Sequence, residues 1–138
     1  MPYVNNQGTR IHYEVEGSGP PLVLHHGFSL DRRSWLVSEN WLEALKTDYR
    51  LILMDTRGHG DSDKPRDPEA YRLTHKVTTP CLFYMGDKDC GHDYAREICR
   101  CMPGATFVSL PGGYADLSLQ LVLPNILQFL AKVSQIQA

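Results

Sequence analysis

Apolar and polar positions alternate along Thr9-Arg10-Ile11-His12-Tyr13-Glu14-Val15-Glu16, which predicts a half-buried β-strand. Gly17-Ser18-Gly19-Pro20-Pro21 breaks it. The short apolar run Leu22-Val23-Leu24 follows and ends at His25-His26-Gly27, the pattern of a strand buried on both faces. Between Asp31 and Lys46, Trp35, Leu36, Trp41, Leu42 and Leu45 fit an irregular amphipathic helix. A second buried strand runs from Tyr49 to Met54 and ends in Asp55-Thr56-Arg57-Gly58-His59-Gly60-Asp61-Ser62. The polar stretch Asp63–Glu69 contains Pro65 and Pro68 and reads as loop, with room for one short helix over Glu69–Lys76.

The scheme then repeats. Pro80–Met85 is a predicted strand closed by Gly86-Asp87-Lys88-Asp89. His92–Met102 is a helix stopped by Pro103-Gly104, Ala105–Leu110 a strand, and Leu117–Val133 a last helix interrupted by Pro124. Strands alternating with helices predict an α/β fold with a mostly parallel sheet flanked by helices.

Composition narrows the class. With 138 residues, 42% of them hydrophobic, the chain is one domain's worth and can bury a core. A net charge of −2 with no clustered Lys/Arg run gives no nucleic-acid footprint. No apolar stretch reaches membrane-spanning length, and Met1 to Gly8 lacks the features of a secretion signal, so a soluble cytoplasmic protein is expected. Cys81, Cys90, Cys99 and Cys101 show no C-x-x-C spacing. Cys81, Cys99 and Cys101 read as reduced core residues, and Cys90 falls in a loop.

Four blocks, in order, resemble the α/β-hydrolase superfamily, particularly its small esterases, lactonases, haloperoxidases and epoxide hydrolases. Leu22-Val23-Leu24-His25-His26-Gly27-Phe28 resembles the strand leading into the oxyanion loop. Asp55-x-Arg57-Gly58-x-Gly60-x-Ser62 resembles the turn after the next strand. Gly86-Asp87-Lys88-Asp89 resembles the turn presenting the triad acid, with Asp89 at that position. Leu110-Pro111-Gly112-Gly113-Tyr114-Ala115-Asp116-Leu117 resembles the loop of the triad histidine, where this chain has Tyr114.

The departures limit what the resemblance implies. No two glycines stand four apart, so the chain has no G-x-S-x-G elbow and no aspartate version of it. Tyr71-Arg72-Leu73-Thr74 resembles the start of one family helix, and Val77-Thr78-Thr79-Pro80 already resembles the lead into the acid-bearing strand. The nucleophile strand and the cap that the family has between them are missing. The reading is a single truncated domain over 1–138, with halves at 1–62 and 80–138 joined by a connection over 63–79. Unpaired strand edges left by the gap make a homodimer an expectation.

Each candidate residue has two readings. Gly27 and Phe28 offer backbone N–H groups to an oxyanion, or simply form a turn that needs Gly27. His26 is a catalytic candidate or a hydrogen-bonded loop histidine; His25 and His26 are expected on opposite faces of the strand. Asp55, Arg57 and Ser62 are expected to tie down their own loop. In Asp87-Lys88-Asp89-Cys90-Gly91-His92-Asp93, Asp89 and His92 are candidates for an acid–base pair, with Cys90 or a water as nucleophile. The other reading is that Asp89 or Asp93 caps the helix starting near His92. Tyr114 is a substrate-binding candidate or an aromatic packing residue.

No metal-ligand spacing is present, and no cofactor is implied. The expected activity is hydrolysis of small esters, lactones or related carbonyl compounds by a non-standard mechanism, on a small-molecule substrate with neither nucleic acid nor membrane. The alternative is a catalytically inactive remnant acting as a ligand- or partner-binding module. A standard triad is excluded, so an inhibitor of serine hydrolases is expected to label no serine.

Overall fold

The structure is a computed structural model that describes residues 2–37, 40–71 and 77–136. Its chain forms two compact units, Met1–Arg72 and Leu73–Ala138.

The first unit holds a four-stranded sheet of β1 (Tyr3–Asn6), β2 (Thr9–Glu16), β3 (Pro21–His25) and β4 (Arg50–Met54), in the order β1-β2-β4-β3. The β1–β2 hairpin was not legible as a strand pair. Its register places Asn6 opposite Thr9 and leaves Gln7 and Gly8 as a two-residue loop. Both have positive φ, 53° and 84°, and Asn5 Oδ1 accepts from the Gly8 N–H at 2.8 Å. That loop geometry matches the right-handed twist of the strands on either side. β2 pairs antiparallel with β4, and β3 pairs parallel with it.

Strand β4 lies between two partners, and Leu51 and Leu53 on one of its faces are wholly buried. Ile11, Leu24, Trp41 and Leu45 complete this core. β3 is an edge strand, as β1 is, and departs from its expected burial: Leu24 is buried while Val23 is 53% exposed.

The expected helix over Asp31–Lys46 is two short helices, α1 (Ser34–Val37) and α2 (Trp41–Leu45). Asn40, with φ 55°, stands at the start of α2 in the left-handed region, where a continuous helix cannot pass. The apolar residues do not keep one helical face: Trp41 and Leu45 are buried, but Leu36 and Val37 are exposed. Pro68–Tyr71 forms a tight 3-10 turn, and the rest of the short helix expected over Glu69–Lys76 lies outside the described residues.

The second unit is built on β5 (Cys81–Gly86) and β6 (Ala105–Leu110), parallel and in register from Cys81↔Ala105 to Gly86↔Leu110. α3 (His92–Arg100) connects them and packs on both. A 3-10 turn at Tyr114–Asp116 precedes α4 (Leu119–Ile136), which also packs on both strands. Ala95, Cys99, Leu110, Val122, Ile126 and Leu130 are buried; the last three recur every fourth residue along one face of α4. Pro124 does not interrupt α4. It removes one backbone donor, and Asn125 Nδ2 donates to the Leu121 carbonyl at 3.1 Å in the same turn.

All four cysteines are free thiols. Cys99 is buried and Cys81 half-buried, but Cys101 is exposed at the C-terminal cap of α3, so the core reading fails there. Among the described residues no helix is long and apolar enough to cross a membrane.

The fold class is α/β. Pairing is parallel in β3–β4 and β5–β6 and antiparallel in β1–β2 and β2–β4, so the described sheets are mixed where a mostly parallel sheet was expected; antiparallel pairing enters through the N-terminal strands β1 and β2.

Candidate functional site

In the first unit β3 and β4 run parallel with His25 opposite Met54, so the loops leaving them lie side by side. Asp55, the first residue after β4, is fully buried. Its carboxylate accepts from the Arg32 N–H at 2.8 Å, from Arg32 Nη1 at 2.6 Å and from the Asp61 N–H at 2.9 Å. Burial by itself would raise the Asp55 pKa. The two N–H donors and the Arg32 charge outweigh it and hold the carboxyl below its usual range. Ser62 Oγ donates to the Asp55 carbonyl at 2.7 Å and accepts from the His12 N–H at 2.8 Å. Asp55 and Ser62 therefore do tie down their own loop. Arg57 reaches the Asn6 carbonyl at 3.5 Å, while its buried Nε has no partner among the described residues.

His12, Asp55 and Asp61 bring three ligand atoms within 4.8 Å of one another. Arg32 already supplies the cation there, with Nη1 2.6 Å from Asp55 and 3.0 Å from Asp61, so the set fits a buried ion pair better than a metal. His12 Nδ1 is 3.6 Å from Asp55 Oδ2, and both His12 ring nitrogens are buried without a hydrogen-bond partner among the described residues.

His26 is buried, and its protonation pattern follows from its partners. Nε2 accepts from the Thr56 N–H at 3.1 Å, so the neutral ring carries its proton on Nδ1 and donates to the Gly27 carbonyl at 2.9 Å. The Thr56 hydroxyl lies 2.9 Å from the same Nε2 and 3.1 Å from His59 Nδ1. His26 thus fastens the turn after β3 to the turn after β4. The rings of His25 and His26 stack at 5.4 Å rather than pointing to opposite faces, because β3 ends at His25 and strand alternation stops there. In the next turn the Leu30 N–H donates to the Gly27 carbonyl, and Ser29 takes the left-handed conformation, φ 62°. The Phe28 side chain is 96% exposed. An open depression of about 520 Å³ beside this turn is lined by Ser29, Leu30, Arg33, His59 and Lys64 among others.

In the second unit the turns after β5 and β6 are laced together. The Asp87 N–H donates to the Leu110 carbonyl, the Lys88 N–H to the Gly112 carbonyl, and the Gly112 N–H to Asp87 Oδ1. Gly86 is needed at this approach, since a Cβ there would stand 2.3 Å from the Gly112 carbonyl oxygen. Asp89 Oδ1 accepts from the Gly91 N–H at 2.9 Å, shaping the entry to α3.

His92 is the first residue of α3, and both its nitrogens have partners other than Asp89. Nδ1 is 3.3 Å from Asp93 Oδ1 and Nε2 is 2.9 Å from Ser109 Oγ, with Phe107 edge-on to the ring at 5.2 Å. Asp93 also pairs with Arg96 at 2.9 Å. Ser109 did not enter the sequence reading. Its one signal is strand alternation, which places it on the same face of β6 as Phe107. Tyr114 is 60% exposed at the start of its 3-10 turn. Tyr84 is pushed up to about 12, chiefly by burial and further by Tyr114.

His26, Gly27 and Phe28 thus fall in the first unit, and Asp89, His92 and Tyr114 in the second. The family model described as alpha/beta hydrolase fold matches residues 20–102. The chain belongs to that family. It is 35% identical over 109 residues to a non-heme chloroperoxidase of Streptomyces lividans, covering 72% of this chain and 39% of the relative. It is 47% identical over 94 residues to a soluble epoxide hydrolase of Corynebacterium sp. (strain C12), covering 66% and 32%. To epoxide hydrolase 4 of Mus musculus it is 35% identical over 102 residues, covering 69% and 28%. The chain therefore spans well under half the length of each of these relatives.

Proposed function

We propose that this chain is a hydrolase of small esters, lactones or related carbonyl compounds that works without the standard triad. The observation carrying the reading is His92, whose imidazole lies between a carboxylate and a hydroxyl. An ionised carboxylate only accepts, so Asp93 fixes the neutral ring with its proton on Nδ1 and leaves the Nε2 lone pair free to take a proton. Asp89 is proposed as a positioning residue for the turn that starts α3, through its bond to Gly91. In the first unit, taken by itself, His26 is proposed to hold the Gly27–Phe28 turn. Tyr114 is proposed as a substrate contact.

The test is turnover of p-nitrophenyl acetate and simple lactones by wild type, His92→Gln and Asp89→Ala, with circular dichroism confirming that each folds. The expected result is a rate at least tenfold lower for His92→Gln. Equal rates in all three would refute His92 as the base. Absence of turnover in the wild type would favour the second reading, a catalytically inactive module that binds a ligand or partner. One observation favours that reading: Asp89 and His92 do not pair among the described residues, each having other partners.

A further inference from the structure

We infer that Ser109 is a nucleophile, activated by His92 and accepting an acyl or phosphonyl group on Oγ. The inference deepens the proposed function and rests on its assignment of His92 as the base. Ser109 Oγ, His92 Nε2, His92 Nδ1 and Asp93 Oδ1 form a continuous relay with 2.9 Å and 3.3 Å links. With the Nδ1 proton held by Asp93, the Ser109 hydroxyl donates to Nε2, the direction needed for its deprotonation. Ser109 is exposed on β6, so an electrophile reaches it, while the His92 side chain is only 12% exposed and its ring is fixed against Phe107. None of the three residues stands where the family resemblance places its nucleophile, acid or histidine. The relay comes from the way α3 starts over the Phe107–Ser109 face of β6.

Oγ bonds to the carbonyl carbon of an ester as the hydroxyl proton passes to Nε2. The tetrahedral adduct then expels the alcohol oxygen, which takes that proton from the imidazolium. Water attacks the acyl-Ser109 ester, gives its proton to Nε2, and the carboxylic acid departs as Oγ recovers the proton. The partial positive charge at the N-terminus of α3, whose first residue is His92, favours the anionic adduct. Asp93 is a positioning residue. It is 82% exposed and shared with Arg96, so its removal should weaken the relay only severalfold.

The experiment is labelling of the full chain with a fluorophosphonate probe, read by intact mass and peptide mapping. One adduct is expected, on Ser109. It should be absent in Ser109→Ala, at least tenfold slower to form in His92→Gln and severalfold slower in Asp93→Asn. The wild-type rate should follow the titration of one group, and His92→Gln should abolish that pH profile, which a merely structural role would leave unchanged. An adduct on another serine, or no adduct, overturns the inference. Ester turnover that survives in Ser109→Ala also overturns it but leaves a His92-activated water. Labelling of Ser109 without ester turnover supports the nucleophile and refutes the hydrolase. The expectation that no serine is labelled, drawn from the missing elbow, is then tested in the same tube.

Discussion

Replacing Asp55 with alanine removes the acceptor at the centre of the first unit's buried polar network. Three donors lose it: the Arg32 N–H, Arg32 Nη1 and the Asp61 N–H. Arg32 keeps Glu14 at 2.9 Å and Asp61 at 3.0 Å, so its charge is not fully orphaned, and the ion-pair loss falls near the lower end for a broken buried pair, about 3 kcal/mol. The Arg32 N–H, left unsatisfied in a residue only 5% exposed, costs about 1–2 kcal/mol more. A total of roughly 4–5 kcal/mol rivals the whole stability expected of a unit this size, on the order of 4–10 kcal/mol.

Both tryptophans, Trp35 and Trp41, lie in the first unit, so their fluorescence in a urea titration reports on that unit. The expected result for Asp55→Ala is a fluorescence baseline already close to that of the unfolded protein, or a midpoint shifted by the full amount. Asp55→Asn, which keeps the volume but loses the charge, should fall between alanine and wild type. A loss below about 1 kcal/mol in Asp55→Ala would refute the assignment of this network as the clamp of the β4 turn. The same carboxylate sets an acid limb. Its folded pKa is depressed, so its contribution is complete above the ordinary aspartate value of about 3.9 and is lost as pH falls through the lower folded value. Asp55→Asn should flatten that limb.

Gly60→Ala should destabilise the first unit strongly, because a Cβ there would stand 2.3 Å from the Asp55 carboxyl at a positive φ of 47°; Gly8→Ala, with φ 84° and nothing within 4 Å, should cost only about 1 kcal/mol in the same urea titration. Thiol titration with a disulfide reagent should be biphasic, Cys90 and Cys101 reacting first. Burial pushes the Cys81 and Cys99 thiols up, which lowers their thiolate fraction, and a single phase for all four would contradict the burial pattern. The proposed homodimer should sediment at about twice 15.6 kDa, with association weakened by Val23→Lys on the open face of edge strand β3; a monomer at high micromolar concentration would refute it.

Much of this architecture was readable along the chain, because it depends on local periodicity and on breakers. Ala105–Leu110 is a strand between Gly104 and Pro111, and its bounds are those the sequence marks. The role of Asp55 and Ser62 in their own loop followed from short polar side chains packed among glycines. The β1–β2 hairpin was missed because its two-residue turn is Gln7-Gly8 rather than one of the common Asn-Gly or Asp-Gly pairs. The helix over Asp31–Lys46 failed because Asn40 takes a left-handed conformation that no apolar period reports.

By itself the sequence determined the order of strands β2 to β6 and of helices α3 and α4, the family, and the absence of an elbow glycine pair. Only the tertiary structure decided which groups meet. Asp89 and His92 are three positions apart, yet the intervening turn gives the Asp89 carboxylate to the Gly91 N–H. Ser109, 17 residues beyond His92 and on another element, lies within 2.9 Å of it. A side-chain contact of that kind depends on how a helix start packs over one face of a strand. That packing is fixed by the burial of Ala95, Cys99 and Leu110 in a common core, and no local pattern of residues carries it.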